Sequence, residues 1–193
     1  LTYTNTERGL AVAKQFGARH FYPNHKAMLA KEELDAVLIV VGLDAEGNSR
    51  HPELAADALR AGFHTWIGTP PCTSSDDISK FTDACLAHGK YVMTNFKKMF
   101  APAYVKAADI IQDPSFGGAS SFSMRYPLSL PPEEKRDDNL AMAPFLEFVH
   151  PYSLLVRLFG ECEGLTYMRS SITGGVAMNI HYRSGLVGTL HLT

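Results

Sequence analysis

A strand, a helix and a second strand between Asp35 and Pro71 constrain this chain more than any other stretch. From Asp35 to Gly42 runs Ala36-Val37-Leu38-Ile39-Val40-Val41, an apolar segment of strand length rich in β-branched residues. A run without polar alternation suits a strand buried on both faces, as in a parallel sheet covered by helices. A polar loop, Leu43 to Arg50, follows. His51-Pro52-Glu53 then opens a helix in which Leu54, Ala55, Ala58 and Leu59 recur at helical spacing, with Gly62 at its end. Phe63 to Ile67 reads as the next strand, broken by Gly68-Thr69-Pro70-Pro71. This is one βαβ unit, and loops at the carboxyl ends of such strands form ligand crevices.

The same cadence extends to both sides. Thr6-Glu7-Arg8 starts a helix through Phe16 that Gly17 ends, with Thr6 placed to accept from a first-turn amide. Arg19 to Tyr22 is a short strand and His25 to Glu33 a helix. Ser74 or Ser75 caps another helix, with Ile78, Phe81 and Cys85 on one stripe. Lys90 to Phe96 is a strand, and Pro102 to about Gln112 a helix. Beyond Gly117-Gly118 the period changes. Ala119 to Tyr126 alternates, with Phe122 and Met124 on one face and Ser121, Ser123 and Arg125 on the other. Pro127 to Asn139 is a charged, proline-rich loop. Residues 142–159 form a helix with Phe148, Tyr152, Leu155 and Phe159 on one stripe. Strands follow at about 163–171, 175–183 and 186–193, turning at Gly174-Gly175 and Ser184-Gly185. The expected architecture is an α/β parallel-sheet domain over residues 1–98, then an α+β domain with a mostly antiparallel sheet over residues 99–193.

Composition narrows the partners. The 193 residues carry a formal net charge of -2 with no basic block, which argues against nucleic acid. No apolar run approaches the about 18 residues of a membrane span, and the first residues do not read as a signal peptide. Cys72, Cys85 and Cys162 lie far apart without metal-ligand spacing, so no metal site is expected. They suit reduced thiols in a cytoplasmic protein. Leu1-Thr2-Tyr3-Thr4 reads as a strand already under way, and Leu190-His191-Leu192-Thr193 as another unfinished one, so the sequence reads as a piece of a longer chain.

Four stretches, in order, carry a family resemblance. They are Ala13-Lys14-Gln15-Phe16-Gly17-Ala18 with the later Met28-Leu29 and Glu32 to Val41; the helix His51 to Gly62; Asn95-Phe96-Lys97-Lys98-Met99-Phe100-Ala101-Pro102; and Phe148-Val149-His150-Pro151. Together they resemble the glucose-fructose oxidoreductase and inositol dehydrogenase (Gfo/Idh/MocA) family of NAD(P)-dependent sugar and cyclitol dehydrogenases. The resemblance implies a Rossmann-like dinucleotide-binding domain followed by a substrate and oligomerisation domain. It also implies hydride transfer between nicotinamide and a secondary alcohol of a sugar or polyol. A homodimer or homotetramer formed through the open face of the second sheet is implied as well. The family also includes non-catalytic members that sense a dinucleotide or a sugar, which is the alternative reading.

Three departures stand out. The family's glycine-rich phosphate loop would fall ahead of Leu1. Its Glu-Lys-Pro, which sets a lysine near nicotinamide and the substrate hydroxyl, reads Gly68-Thr69-Pro70 here. Its acidic residue three positions after the histidine is Ser153.

The resemblance assigns catalysis to His150, whose neutral imidazole can take a hydroxyl proton near pH 7. The bland reading is a histidine hydrogen-bonded at a domain interface. Lys97, just past a strand's carboxyl end, stands in for the missing cation, with Lys98 as its competitor and an ordinary surface lysine as the alternative. Expected cofactor contacts are Thr4, Asn5 and Arg8 at the second strand, Gly42 and Leu43, His51, Gly68, Thr69, Pro70, and Asn95. His51 reads equally as a surface residue. No acid stands at Tyr3-Thr4-Asn5 to hold an adenosine ribose, and Arg8 is one turn away, so of NAD and NADP the second is favoured. Arg125 and Tyr126 are the sugar-contact candidates, against an exposed strand face.

Overall fold

In the computed structural model, which describes residues 1–3 and 5–193, the apolar run after Asp35 forms β1 (Ala36–Ile39). Helix α3 (His51–Arg60) leads to β2 (His64–Ile67), and α4 (Ser75–His88) to β3 (Val92–Thr94). The three strands are parallel in the order β1-β2-β3. They belong to a compact unit made of Leu1–Gly42 and Ser49–Asn95. Helix α3 seats Ala55 and Ala58, both fully buried, against Val37, Ile39 and Ile67. Its Ala56 and Leu59 meet Ala84 of α4. Small side chains here let the helix axis approach the sheet closely.

The other face of this sheet differs from expectation. Leu38 is 70% and Val40 75% exposed, and Met93 is exposed too. Leu38, Trp66 and Met93 lie in one register row across the three strands. The expectation of helices on both faces is therefore met on one face only among the described residues. An all-apolar strand carries no alternation to say which face a helix will cover.

Flanking elements are shorter than their sequence patterns. The strand expected at Arg19–Tyr22 appears as one parallel bridge between Thr2 and Tyr22. Helix α1 (Thr6–Phe16) is capped by Asn5, whose Oδ1 accepts from the Arg8 N–H at 2.9 Å, so the cap is one residue earlier than Thr6. Helix α2 (His25–Leu29) is capped by Asn24, and α4 by Ser74.

The second unit comprises Leu43–Asn48 and Phe96–Thr193. A 3-10 turn, Lys97–Phe100, leads into α5 (Pro102–Gln112). Strand β4 (Ser121–Tyr126), helices α6 (Asn139–Met142) and α7 (Val149–Phe159), and strands β5 (Gly164–Arg169), β6 (Val176–His181) and β7 (Val187–Leu192) follow. The sheet order is β4-β7-β6-β5. The β4–β7 pair is parallel and the other two pairs are antiparallel. The helix expected over 142–159 is split, with 3-10 turns over Ala143–Phe148 where Pro144 removes an amide donor. Helix α7 covers one sheet face, where Leu155 and Phe159 pack with Phe122, Ile180, Leu190 and Leu192. The other face carries a polar row, Ser123, Thr189, Asn179 and Thr166, across all four strands. Residues 43–48 fold into this unit: Asn139 Nδ2 donates to Asn48 Oδ1 at 3.2 Å. At Gly47, with φ of 82°, a Cβ would stand 2.8 Å from the Asn139 and Leu140 backbone.

Leu59 has no exposed surface and joins α3 to α4. Leu59→Ala should destabilise the first unit by about 2–5 kcal/mol. A lowered urea midpoint for the β-sheet amides, with the second unit's transition unmoved, is the expected result.

Candidate functional site

In the first unit the parallel register brings out three strand ends at one edge. The Gly68 N–H donates to Ile39 O at 2.9 Å and the Asn95 N–H to Ile67 O at 2.9 Å, carrying the ladder past the strands. Gly42, Gly68, Thr69, Pro70 and Asn95 therefore share that edge. At Gly42 an added Cβ would meet nothing within 4 Å, so its backbone is open to approach. Thr69 and Pro70 are half-buried and joined by a cis peptide bond. Thr65, three residues before Gly68 in β2, is buried and its Oγ1 has no hydrogen-bond partner.

Other expected contacts are placed differently. Leu43 begins the segment that folds into the second unit. His51 is only 1% exposed, so it is not a surface residue; it stands enclosed at the amino end of α3. Its Nδ1 lies 3.1 Å from Ser49 Oγ. Burial pushes its pKa below the ordinary value, against the carbonyls of Pro70 and Ile39, which favour the protonated ring. Asn5 spends its amide oxygen on the α1 cap, and the exposed Arg8 sits over the Tyr3 ring, 5.9 Å from its centre. Thr4 lies outside the described residues.

In the second unit α7 packs against the 3-10 turn that carries Lys97 and Lys98. His150, in the first turn of α7, is fully buried. Glu147 Oε2 approaches its Nε2 to 3.3 Å, yet neither ring nitrogen has an aligned hydrogen-bond partner. Burial pushes the His150 pKa down. The Glu147 carboxylate opposes that, and the Lys97 and Lys98 cations reinforce it. Lys97 is exposed. Lys98 is half-buried and donates to Tyr126 Oη at 2.6 Å, its Nζ 4.2 Å from the ring centre. Ser153, where the resemblance expects an acid, donates its hydroxyl to His150 O at 3.0 Å and so turns back on its own helix.

Arg125 and Tyr126, expected together, point to opposite sides of β4. Tyr126 lies on the α7 side with Phe122 and Met124. Arg125 lies on the exposed polar side, in register with His191, and drops out of this cluster. Adjacent strand residues always diverge in this way. Sequence reading missed Glu147. The signal was present, since a carboxylate three residues before a histidine shares its helical face. Among the described residues no group of three or more His, Cys, Asp or Glu side chains is arranged to hold a metal ion.

The two buried histidines make stability depend on pH. Both have folded pKa values held below 6.5, so the unfolded chain binds protons that the folded chain refuses. Their contribution is complete above about pH 6.5 and is lost as pH falls below it, by up to about 1.4 kcal/mol per pH unit for each histidine. Urea midpoints should fall between about pH 6.5 and 5, above the carboxylate range, and His150→Gln should flatten that slope.

Residues 1–96 match a family model described as an oxidoreductase family with an NAD-binding Rossmann fold (GFO_IDH_MocA). Over 124 residues the chain is 28% identical to D-xylose 1-dehydrogenase (NADP(+)) 2 of Haloferax volcanii, covering 64% of this chain and 36% of that protein. A putative NADPH-dependent oxidoreductase from Desulfitobacterium hafniense has a similar structure, with a TM-score of 0.84 at 16% identity over 100% of this chain and 58% of that one. A myo-inositol 2-dehydrogenase from Lactobacillus plantarum gives 0.75 at 17% identity over 98% and 60%. The chain thus spans only part of each relative's length. With the matched parallel-sheet unit and the shared two-unit fold, the chain belongs to the Gfo/Idh/MocA oxidoreductase family.

Proposed function

We propose that this chain is part of an NAD(P)-dependent dehydrogenase moving hydride between nicotinamide and a secondary alcohol carbon of a sugar or polyol. The observation that carries this is His150: buried, neutral near pH 7, with a carboxylate at 3.3 Å and two cations acting on it, in a chain of an NAD-binding family. The three strand ends suit a dinucleotide, because Gly42 presents open backbone and Thr69 a half-buried hydroxyl at one edge. When bound, nicotinamide supplies or takes up the hydride. NADP is favoured, since Asn5 and Arg8 are not acidic and the relative in Haloferax volcanii is named for that cofactor.

His150 exchanges the hydroxyl proton at Nδ1 while Glu147 offsets the ring's charge beside Nε2. Lys97 supplies positive charge for the developing alkoxide, work the family assigns to the Thr69 position. Tyr126, held by Lys98, retains its own O–H to donate to a sugar hydroxyl. The polar face of the second sheet is the surface through which a homodimer or homotetramer forms. Three free cysteines suit a reducing, cytoplasmic setting.

Two observations favour a second reading, a non-catalytic protein sensing a dinucleotide or sugar. Thr69 carries no charge, and His150 is fully enclosed. Assays of NADP+ and NAD+ reduction across aldoses and polyols separate the two. The dehydrogenase reading expects turnover that falls about 10²–10⁴-fold in His150→Ala with little change in cofactor KM. Lys97→Ala should lower kcat in the same way, and Thr69→Lys should keep or raise activity. Binding of NADPH without turnover of any sugar or polyol leaves the sensor.

A further inference from the structure

Ser49, just ahead of α3, places one hydroxyl between two loops. Its Oγ donates to Pro70 O at 3.1 Å, accepts from the His51 N–H at 3.3 Å and lies 3.1 Å from His51 Nδ1. The Ser49 N–H reaches Thr73 Oγ1 at 3.4 Å, beyond the same turn. The His51 ring is enclosed, and its Nε2, with no aligned hydrogen-bond partner, rests on Gly68. A Cβ at Gly68 would stand only 3.0 Å from that nitrogen, so the ring fills the place a side chain would take.

Counting protons orders the cluster. A neutral imidazole has one N–H and a serine one O–H. With the hydroxyl proton on Pro70 O, the ring proton must sit on Nδ1 to donate to Ser49 Oγ. The other tautomer draws the hydroxyl proton back to Nδ1 and takes the donor from Pro70 O, while its Nε2–H turns toward the Ile39 carbonyl instead.

We propose that Ser49 and His51 form a proton-ordered relay, Nδ1–H to Oγ–H to Pro70 O, that positions the Gly68–Pro71 turn and with it Thr69. Both are positioning residues. The role of Thr69 toward nicotinamide rests on the dehydrogenase reading; the relay itself does not.

Nitrogen-15 NMR and amide hydrogen exchange on the 193-residue chain test the relay without any cofactor. In the unmodified protein His51 should titrate as the Nδ1–H tautomer; an Nε2–H tautomer overturns the proposal. Ser49→Ala should speed exchange of the Gly68 amide at least about tenfold, since loss of the Pro70 anchor lets the turn open, and an unchanged rate overturns it. Asparagine places its N–H where Nδ1 stands, and glutamine where Nε2 stands. His51→Asn should therefore keep the Gly68 rate within about twofold while His51→Gln matches Ser49→Ala. The reverse order refutes the relay, and failure of sugar oxidation would not touch any of these readouts.

Discussion

Close contact between α3 and the parallel sheet holds the first unit together. Ala55 and Ala58 bring the helix down on Val37, Ile39 and Ile67, and Leu59 on its flank locks α4 into the same layer. Burying a leucine of this kind contributes about 1.5–3 kcal/mol. The same contact sets where α3 begins. Its amino end meets the carboxyl ends of β1 and β2, so Ser49 and His51 arrive beside Gly68 and Pro70. Strand order, turn geometry and the open edge at Gly42 all descend from that packing.

The second unit shows the same economy with charge. His150 is enclosed beside a half-exposed carboxylate and two lysines, and neither nitrogen is aligned to a partner. A buried polar group left unpaired opposes folding by about 1–3 kcal/mol. That cost is offset elsewhere in the unit, where Leu155 of the same helix packs with Phe148, Ile180 and Leu190 against the sheet. A neutral, desolvated imidazole beside positive charge is also what a base for alcohol oxidation requires.

Much of this was legible beforehand because it is local. The βαβ unit announced itself through one apolar run, helical alanine spacing and glycine breaks, and the second domain through alternation and hairpin glycines. The order of four motifs led to the family. Less legible was the length of elements. Arg19 to Tyr22 has strand-forming residues, yet pairs at a single bridge. Ala143–Phe148 is helical in pattern, yet tightens into 3-10 turns around Pro144.

Sequence by itself determined most of the strands and helices, since apolar period and capping chemistry act between near neighbours. It also determined the family and the position of His150. Tertiary structure decided what those side chains face. Arg125 and Tyr126 are adjacent in the chain but diverge across β4, and Lys98 rather than Lys97 reaches Tyr126. His51 proved enclosed rather than on the surface, and among the described residues one face of the first sheet gained cover while Leu38 and Met93 on the other stayed exposed. Each outcome depends on partners distant in sequence, whose approach no local pattern encodes.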